Sequence, residues 1–546
     1  MTREKQLLYS LLIIAIGSIL FFPFLGAVHL FDWDEINFAE CSREMLVTGN
    51  YSSVQINYLP FWEKPPLFFW MQSASMKLFG VNEFAARFPN AIAGILTLLL
   101  LFFISIRHFD AKFAFWWIAF YTGSLLPHFY FKSGIIDPWF NLFIFISVYA
   151  YFRYLLTKMS YGGWIALSAI SIGLAVLTKG PVAVLVFMLV VFWFYVKHGF
   201  RNIITIPHFF LFLLLSIVTG SMWFASEIFQ GRWQTLLDNI AYQIRLFSTQ
   251  DAGHGGPFFY HWYILLIGCF PASIPFIMSF FIRQNQSYER KDFILLMKIL
   301  FWVVLILFSI VKTKIVHYSS LCYFPITFLA AYHLYYSERG LNLWNKLAGF
   351  FQVLISILLG LTFMILPFFD AIKLYLLEKG FIKDAFAKEA IQAQSNWSGY
   401  EWIIGLLFLV VSIVAGIRLK ENLAQAFRIY LINSTISISL LLIFYVPNIE
   451  RYSQGAAIDF YKSLEGQDCY VETYGFKSYA QYFYSKKMPV SNKESYDIYW
   501  LMSENIDKPT YVVTKKKDKA YMLEHYQQME IISEKNGFIF WKNKKI

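Results

Sequence analysis

Asp32-Trp33-Asp34-Glu35 stands about five residues past the first long apolar run. Ionisable groups beside a membrane helix are costly to place and mark a functional site by default. Asp34 has the chemistry of a general base, taking a proton from an acceptor hydroxyl or holding it in place. It could equally be the N-cap of a helix over 35–46. Asp32 reads as a bystander. A second polar knot, Trp62-Glu63-Lys64-Pro65-Pro66, follows in the same loop. Lys64 brings a point charge suited to a phosphate, and the two prolines fix the loop that presents it. Glu63 would orient Lys64 or bind a cation. A snorkelling lysine before a proline-started helix would leave the same sequence.

Further groups fall at the ends of later apolar runs. Lys312-Thr313-Lys314 precedes His317-Tyr318, so two lysines and Tyr318 could surround a phosphate. An ordinary charged turn is the plainer reading. Arg245 offers a bidentate fork for phosphate. Asp137-Pro138 is either a helix start with proline at its first position or a second active-site carboxylate. Lys179, in Thr178-Lys179-Gly180-Pro181, is a phosphate ligand or simply part of a turn. Glu63 and His254 could share a divalent metal, although two distant ligands make a thin set. No cofactor is otherwise required.

These groups need a membrane scaffold. Of 546 residues, 58% are hydrophobic, 20% aromatic and only 15% charged, which excludes an ordinary soluble globule. The net charge of +11 would elsewhere suggest nucleic acid. Here the basic residues mostly sit in short breaks between apolar runs, so topology explains them and no nucleic-acid partner is expected. A span takes about 20 residues. Candidate spans are 7–27, 89–106, 113–130, 138–157, 162–178, 181–197, 204–224, 258–282, 293–311, 318–336, 347–368, 401–417 and 427–446. The run to Val28 lacks a clear cleavage site and reads as a retained first helix. Basic residues in alternate breaks put the N-terminus inside. Loops 28–88, 225–257 and 369–400 and the C-terminus then lie outside. Ile36–Leu46 and Leu67–Phe79 have the mixed pattern of two amphipathic helices lying in the interface. The expected division is a transmembrane unit over 1–446 and a small α/β domain over 447–546. In the latter, Cys469–Tyr474 and Thr510–Thr514 read as strands, Lys477–Ser485 and Lys516–Gln527 as helices, and Asn536-Gly537 as a hairpin turn. The four cysteines have no paired or metal-type spacing.

With these residues in view, the chain resembles the polyprenyl-phosphate-dependent GT-C glycosyltransferases. Its nearest likeness is to the lipid A aminoarabinose transferases, and a more distant one is to protein O-mannosyltransferases. The resemblance rests on Asp34-Glu35, Phe38-Ala39-Glu40, Ser42-Arg43-Glu44-Met45, Phe61 through Leu67, Leu78-Phe79-Gly80-Val81 and Glu83 through Arg87. Softer matches follow at Asp137-Pro138, Thr178 through Pro181, His254 with Pro257-Phe258, and Lys312, Lys314 and Tyr318. Leu321 departs from it, since relatives often carry proline after the tyrosine. The resemblance implies an all-α polytopic GT-C membrane domain of about 13 helices with a C-terminal α/β domain. It implies Asp34 as catalytic carboxylate and Lys64, Arg245 and Tyr318 around a donor or acceptor phosphate. The implied donor is a polyprenyl-phosphate sugar, with inversion at the anomeric carbon. The acceptor would be lipid A, another glycolipid or a protein, at the outer face of a bacterial inner membrane. A lipid or sugar transporter is the alternative of a different class. It would place polar residues at mid-span, often within inverted repeats, whereas these lie at outer helix ends.

Overall fold

The computed structural model describes the chain apart from residues 158–161, 202, 250–254, 283–286, 338–343, 345 and 546. Helices dominate. In chain order they are α1 (Arg3–Phe21), α2 (Asp34–Thr48), α3 (Leu67–Phe79), α4 (Glu83–His108), α5 (Ala111–Gly123), α6 (Asp137–Leu156), α7 (Gly162–Lys179), α8 (Val182–Lys197), α9 (Ile206–Phe229) and α10 (Trp233–Ser248). Then come α11 (Tyr260–Gly268), α12 (Ser273–Ser279), α13 (Tyr288–Ile310), α14 (Tyr323–Ser337), α15 (Lys346–Ile365), α16 (Trp402–Arg418) and α17 (Leu423–Phe444). Among the described residues eight helices are long and apolar enough to cross a membrane, or nine if the α11–α12 pair, bent by 109°, is one span. Helices α8 and α16 are shorter apolar helices. The protein is a multi-pass membrane protein.

Several expected spans are interrupted for local reasons. The 113–130 run ends its helix at Gly123, and the chain restarts after Ser124 as a five-residue helix before a 3-10 turn, Tyr130–Lys132. The 258–282 run breaks at Pro271, where the chain turns between α11 and α12. The 318–336 run begins as a 3-10 turn, Val316–Cys322, and becomes α-helical at Tyr323. Proline ends α7 as expected: Gly180 takes φ +103 and Pro181 precedes α8. Close helix contacts use glycine. A Cβ on Gly173 of α7 would lie 2.6 Å from Thr219 Cβ of α9, and one on Gly405 of α16 would strike the backbone of Met364 in α15.

The first-loop helices form, but α2 is not an interfacial helix with a wet face. Every residue from Glu35 to Met45 is buried. Polar residues there are bonded within the protein. Ser42 Oγ donates to Gln72 Oε1 of α3 (3.0 Å), and Arg43 makes two hydrogen bonds to Glu40 (2.7 and 2.6 Å) and one to the Lys487 carbonyl (2.7 Å). The C-terminal part of the chain therefore covers α2. It carries four strands: β1 (Tyr470–Tyr474), β2 (Thr510–Lys515), β3 (Met529–Lys535) and β4 (Phe538–Asn543). Their order is β1-β2-β4-β3, with β1 parallel to β2 and the remaining pairs antiparallel. Asn536 and Gly537 form the β3–β4 turn with φ values of 51° and 83°, the backbone that makes Asn-Gly a hairpin signal. The helices beside the sheet are shorter than expected, Ala480–Ser485 and Lys519–His525.

Candidate active site

Asp34 is the first residue of α2 rather than its N-cap, which is Trp33. One residue on, Glu35 is fully engaged elsewhere. Its carboxylate accepts from Arg87 Nε (3.0 Å) and Nη2 (2.8 Å), from the Phe31 amide (2.9 Å) and from the Gly134 amide. Arg87 also donates to the carbonyls of Leu25, Val28 and His29. This knot fixes the chain between α1 and α2 and sets the direction in which Asp34 points.

Asp34 meets one other chain segment directly and is linked through it to two more. Its Oδ2 lies 3.3 Å from His317 Nε2, and the same nitrogen lies 3.7 Å from Oδ2 of Asp137, at the start of α6. Asp137 Oδ1 accepts a 2.6 Å hydrogen bond from Lys179, the last residue of α7. The Lys179 ammonium sits 4.9 Å from the centre of the Tyr318 ring. The turn carrying His317 and Tyr318 is braced by Asn141, which donates to Ser320 Oγ (2.7 Å), and by His261, paired with Ser319 Oγ (3.0 Å). Burial alone would push the Asp34 carboxyl up. The hydrogen bond and charge of His317, with the ammoniums of Lys64 and Lys179, outweigh it and hold Asp34 below the usual carboxylate range. Asp32 goes the other way: burial lifts it to about 6 against a hydrogen bond from Ser478. Burial lowers the Lys64 ammonium, against the raising charges of Glu63 and Asp34.

Two cavities lie beside this cluster, in addition to one of about 310 Å³ that His317 lines with Glu35 and Arg87. One, of about 340 Å³, has Lys64, Asp137, Lys179 and Tyr318 at its polar part and Val182, Leu185, Leu307, Phe308 and Val311 along apolar walls. The other, of about 410 Å³, is bounded by Trp62, Glu63, Asp238, Tyr242, Arg245 and two residues of the C-terminal part, Lys477 and Tyr479. Tyr242 joins them, with Lys64 Nζ 4.7 Å and the Arg245 guanidinium carbon 5.1 Å from its ring centre.

Of the residues singled out in the sequence, Asp34, Lys64, Asp137, Lys179 and Tyr318 thus come together, with Glu63 and Arg245 in the adjoining cavity. Lys314 does not join them. Its ammonium donates to the carbonyls of Phe308 (2.9 Å) and Ser309 (2.7 Å), closing the C-terminal end of α13. Lys312 is exposed and lines neither cavity. His254 lies outside the described residues, so its pairing with Glu63 is not described. Among the described residues no group of three or more His, Cys, Asp or Glu could hold a metal. Sequence reasoning passed over His317, although it stood inside a quoted motif. It also missed Tyr242 and Lys477, for which no local signal existed.

Residues 63–224 match the family model described as dolichyl-phosphate-mannose-protein mannosyltransferase. An undecaprenyl phosphate-alpha-4-amino-4-deoxy-L-arabinose arabinosyl transferase of Erwinia tasmaniensis is 27% identical over 317 residues, 55% of this chain and 54% of the relative. An uncharacterised protein of Aquifex aeolicus is 28% identical over 324 residues, 59% of this chain and 63% of the relative. The chain spans less than two thirds of the length of these curated relatives. The crystal structure of ArnT from Cupriavidus metallidurans bound to undecaprenyl phosphate superposes with a TM-score of 0.77 at 16% identity, covering 98% of both chains. The chain has the ArnT fold. It is a GT-C membrane fold. The apo ArnT structure superposes similarly, with a TM-score of 0.75.

Proposed function

We propose that this protein is an inner-membrane glycosyltransferase that moves a sugar from a polyprenyl-phosphate donor to a lipid A-like glycolipid at the outer face. The observation that carries this reading is the Asp34–His317–Asp137–Lys179 cluster, whose Asp137 and Lys179 stand with Lys64 at the polar part of an otherwise apolar cavity. A lipid phosphate needs that combination, with cations for its head and hydrocarbon walls for its chain. In the proposed reaction Asp34 takes the proton of the acceptor O–H. The acceptor oxygen bonds to the anomeric carbon, and the bond from that carbon to the phosphate oxygen breaks. Its electron pair leaves with the polyprenyl phosphate, whose charge Lys64, Lys179 and Arg245 offset. One displacement of this kind inverts the anomeric carbon. His317 keeps Asp34 ionised and oriented. About thirteen crossings, counting short and bent helices, would put the N-terminus inside and residues 447–546 outside as an α/β domain.

The test is sugar transfer by the purified protein in liposomes holding a polyprenyl-phosphate-linked aminopentose and a lipid A acceptor, read by mass spectrometry. A sugar-mass increment on the glycolipid supports the reading. Protein acceptors are the second reading, favoured by the mannosyltransferase match over 63–224. A serine- and threonine-bearing peptide in the same assay decides between them. Movement of the lipid-linked sugar across the bilayer with no new glycoside would instead mark a transporter.

A further inference from the structure

Lys298 stands near the middle of the 23-residue α13, one of the helices apolar enough to cross a membrane. A lysine at that depth is costly and marks a function by default. Its ammonium lies 5.0 Å from the centre of the Phe280 ring, just past α12, and among the described residues it is paired with no carboxylate. Asp292, the nearer acid on the same helix, lies on another face and is turned to His198 (3.5 Å). Lys298 and Lys197, the last residue of α8, line one cavity of about 470 Å³ between α8 and α13. Leu189, Trp193, Trp302 and Ile306 are among its apolar walls. This cavity lies toward the membrane face opposite the Asp34 cluster. By the rise of an α-helix, Lys197 is about 22 Å along α8 from Val182, which lines the cavity at Lys179. Lys298 is about 18 Å along α13 from its end at Ile310. A helical side chain leans toward the N-terminus of its own helix, which carries the Lys298 ammonium further from the cluster.

We propose that this cavity binds an anionic glycerophospholipid from the leaflet opposite the Asp34 cluster. The lipid phosphodiester sits between Lys197 and Lys298, and an acyl chain follows the groove between α8 and α13. The inference goes beyond the transferase reading and does not depend on it. Charge complementarity carries it. Two ammoniums at one apolar groove fit a ligand that joins a negative charge to hydrocarbon, and basic pockets between membrane helices take such lipids. A lysine meets a phosphate as a point charge on a flexible stem, so neither side chain needs a fixed approach. Leu307 borders both this cavity and the one at Lys179, which makes the tail of a polyprenyl phosphate the competing occupant. An isoprenoid tail is uncharged along its length and gives the two lysines nothing to meet. The plainer alternative is that Lys298 only rests on the Phe280 ring.

The experiment titrates phosphatidylglycerol onto the delipidated full chain in detergent and reads equilibrium binding by native mass spectrometry. Phosphatidylcholine and polyprenyl phosphate serve as comparison probes. Lys298→Gln should weaken phosphatidylglycerol by about tenfold, the loss expected of one charge-assisted hydrogen bond. It should leave the other two probes unchanged, and Lys298→Arg should recover most of the affinity. Lys197→Gln, at an exposed helix end, should give the same selective loss and carries the test if Lys298→Gln does not fold. Saturating polyprenyl phosphate should leave phosphatidylglycerol bound. Displacement of phosphatidylglycerol by polyprenyl phosphate would overturn the proposal and give the groove to the donor's tail. Equal weakening of phosphatidylglycerol and phosphatidylcholine by Lys298→Gln would overturn it in favour of packing against Phe280. Unchanged phosphatidylglycerol binding in both lysine variants would overturn it outright.

Discussion

At the scale of single residues, two adjacent carboxylates have opposite settings. Glu35 is committed to Arg87 and two backbone amides, whereas Asp34 faces His317. Asp34→Asn should therefore lower kcat by at least about 10²-fold, the usual scale of general-base catalysis, with normal protein level. Wild-type turnover in that variant, measured on the lipid-linked donor, would move the role to Asp137. A pH profile gives a second check. Asp34 titrates below the ordinary value of 3.8, so its bond to His317 is fully present above that value and lost as pH falls through the lowered one. His317→Gln removes a lowering influence and leaves burial less opposed. The acidic limb of kcat/KM should then shift to higher pH, and an unmoved limb would assign that limb to another group. For the phosphate, Lys64→Arg should keep part of the activity, because a point charge survives. Arg245→Lys should lose more, because two parallel hydrogen bonds become one. Titration of the donor against each variant reads the difference, and silence in both would make them interface anchors.

At the scale of elements, the first loop is held by buried ion pairs rather than by an apolar face laid on lipid. Arg87 ties α4 to α2 through Glu35 and to three carbonyls between α1 and α2. Arg87→Ala leaves the Glu35 carboxylate buried without its partner, which costs about 3–5 kcal/mol in comparable sites. The variant should lose thermal stability in detergent and show a lowered Tm. Arg87→Ala together with Glu35→Gln should recover part of it. An unchanged Tm in the single variant would mean that water replaces the guanidinium. The polar residues of α2 are buried without the usual penalty because they are paired. Each of Ser42, Arg43 and Glu40 meets a fixed partner on α3, on its own helix or on the C-terminal part.

At the scale of the whole molecule, the first loop and the C-terminal part form one face. The Leu30 amide donates to Tyr484 Oη (2.7 Å), and Arg43 and Tyr58 both donate to the Lys487 carbonyl. A topology in which these two segments lie on opposite sides of the bilayer is therefore untenable. Exposed positions test the assigned sidedness. In a Cys469→Ser background, Tyr51→Cys and Met488→Cys should react with an impermeant maleimide in intact cells. Glu421→Cys should react only after permeabilisation. Labelling in the reverse order would put the cluster on the cytosolic side and remove the argument for a lipid-linked donor.

The amino-acid sequence by itself determined the membrane scaffold, because repeated apolar runs near 20 residues match the thickness of a bilayer. Gly180-Pro181 and Asn536-Gly537 each marked a turn through local backbone chemistry, independent of distant contacts. It also narrowed the chemistry to polar groups at helix ends. Which of those groups meet was a matter for the tertiary structure. Asp34 and Glu35 are neighbours in sequence, but successive helical residues point about 100° apart, so packing alone sends one to His317 and the other to Arg87. Lys179 and Lys314 looked alike as phosphate ligands. Their surroundings separated them, since one ends its helix beside Asp137 and the other turns back onto the carbonyls of α13. Lys477 had no local signal at all, because its nearness to Trp33 exists only once some 440 residues of intervening chain have folded.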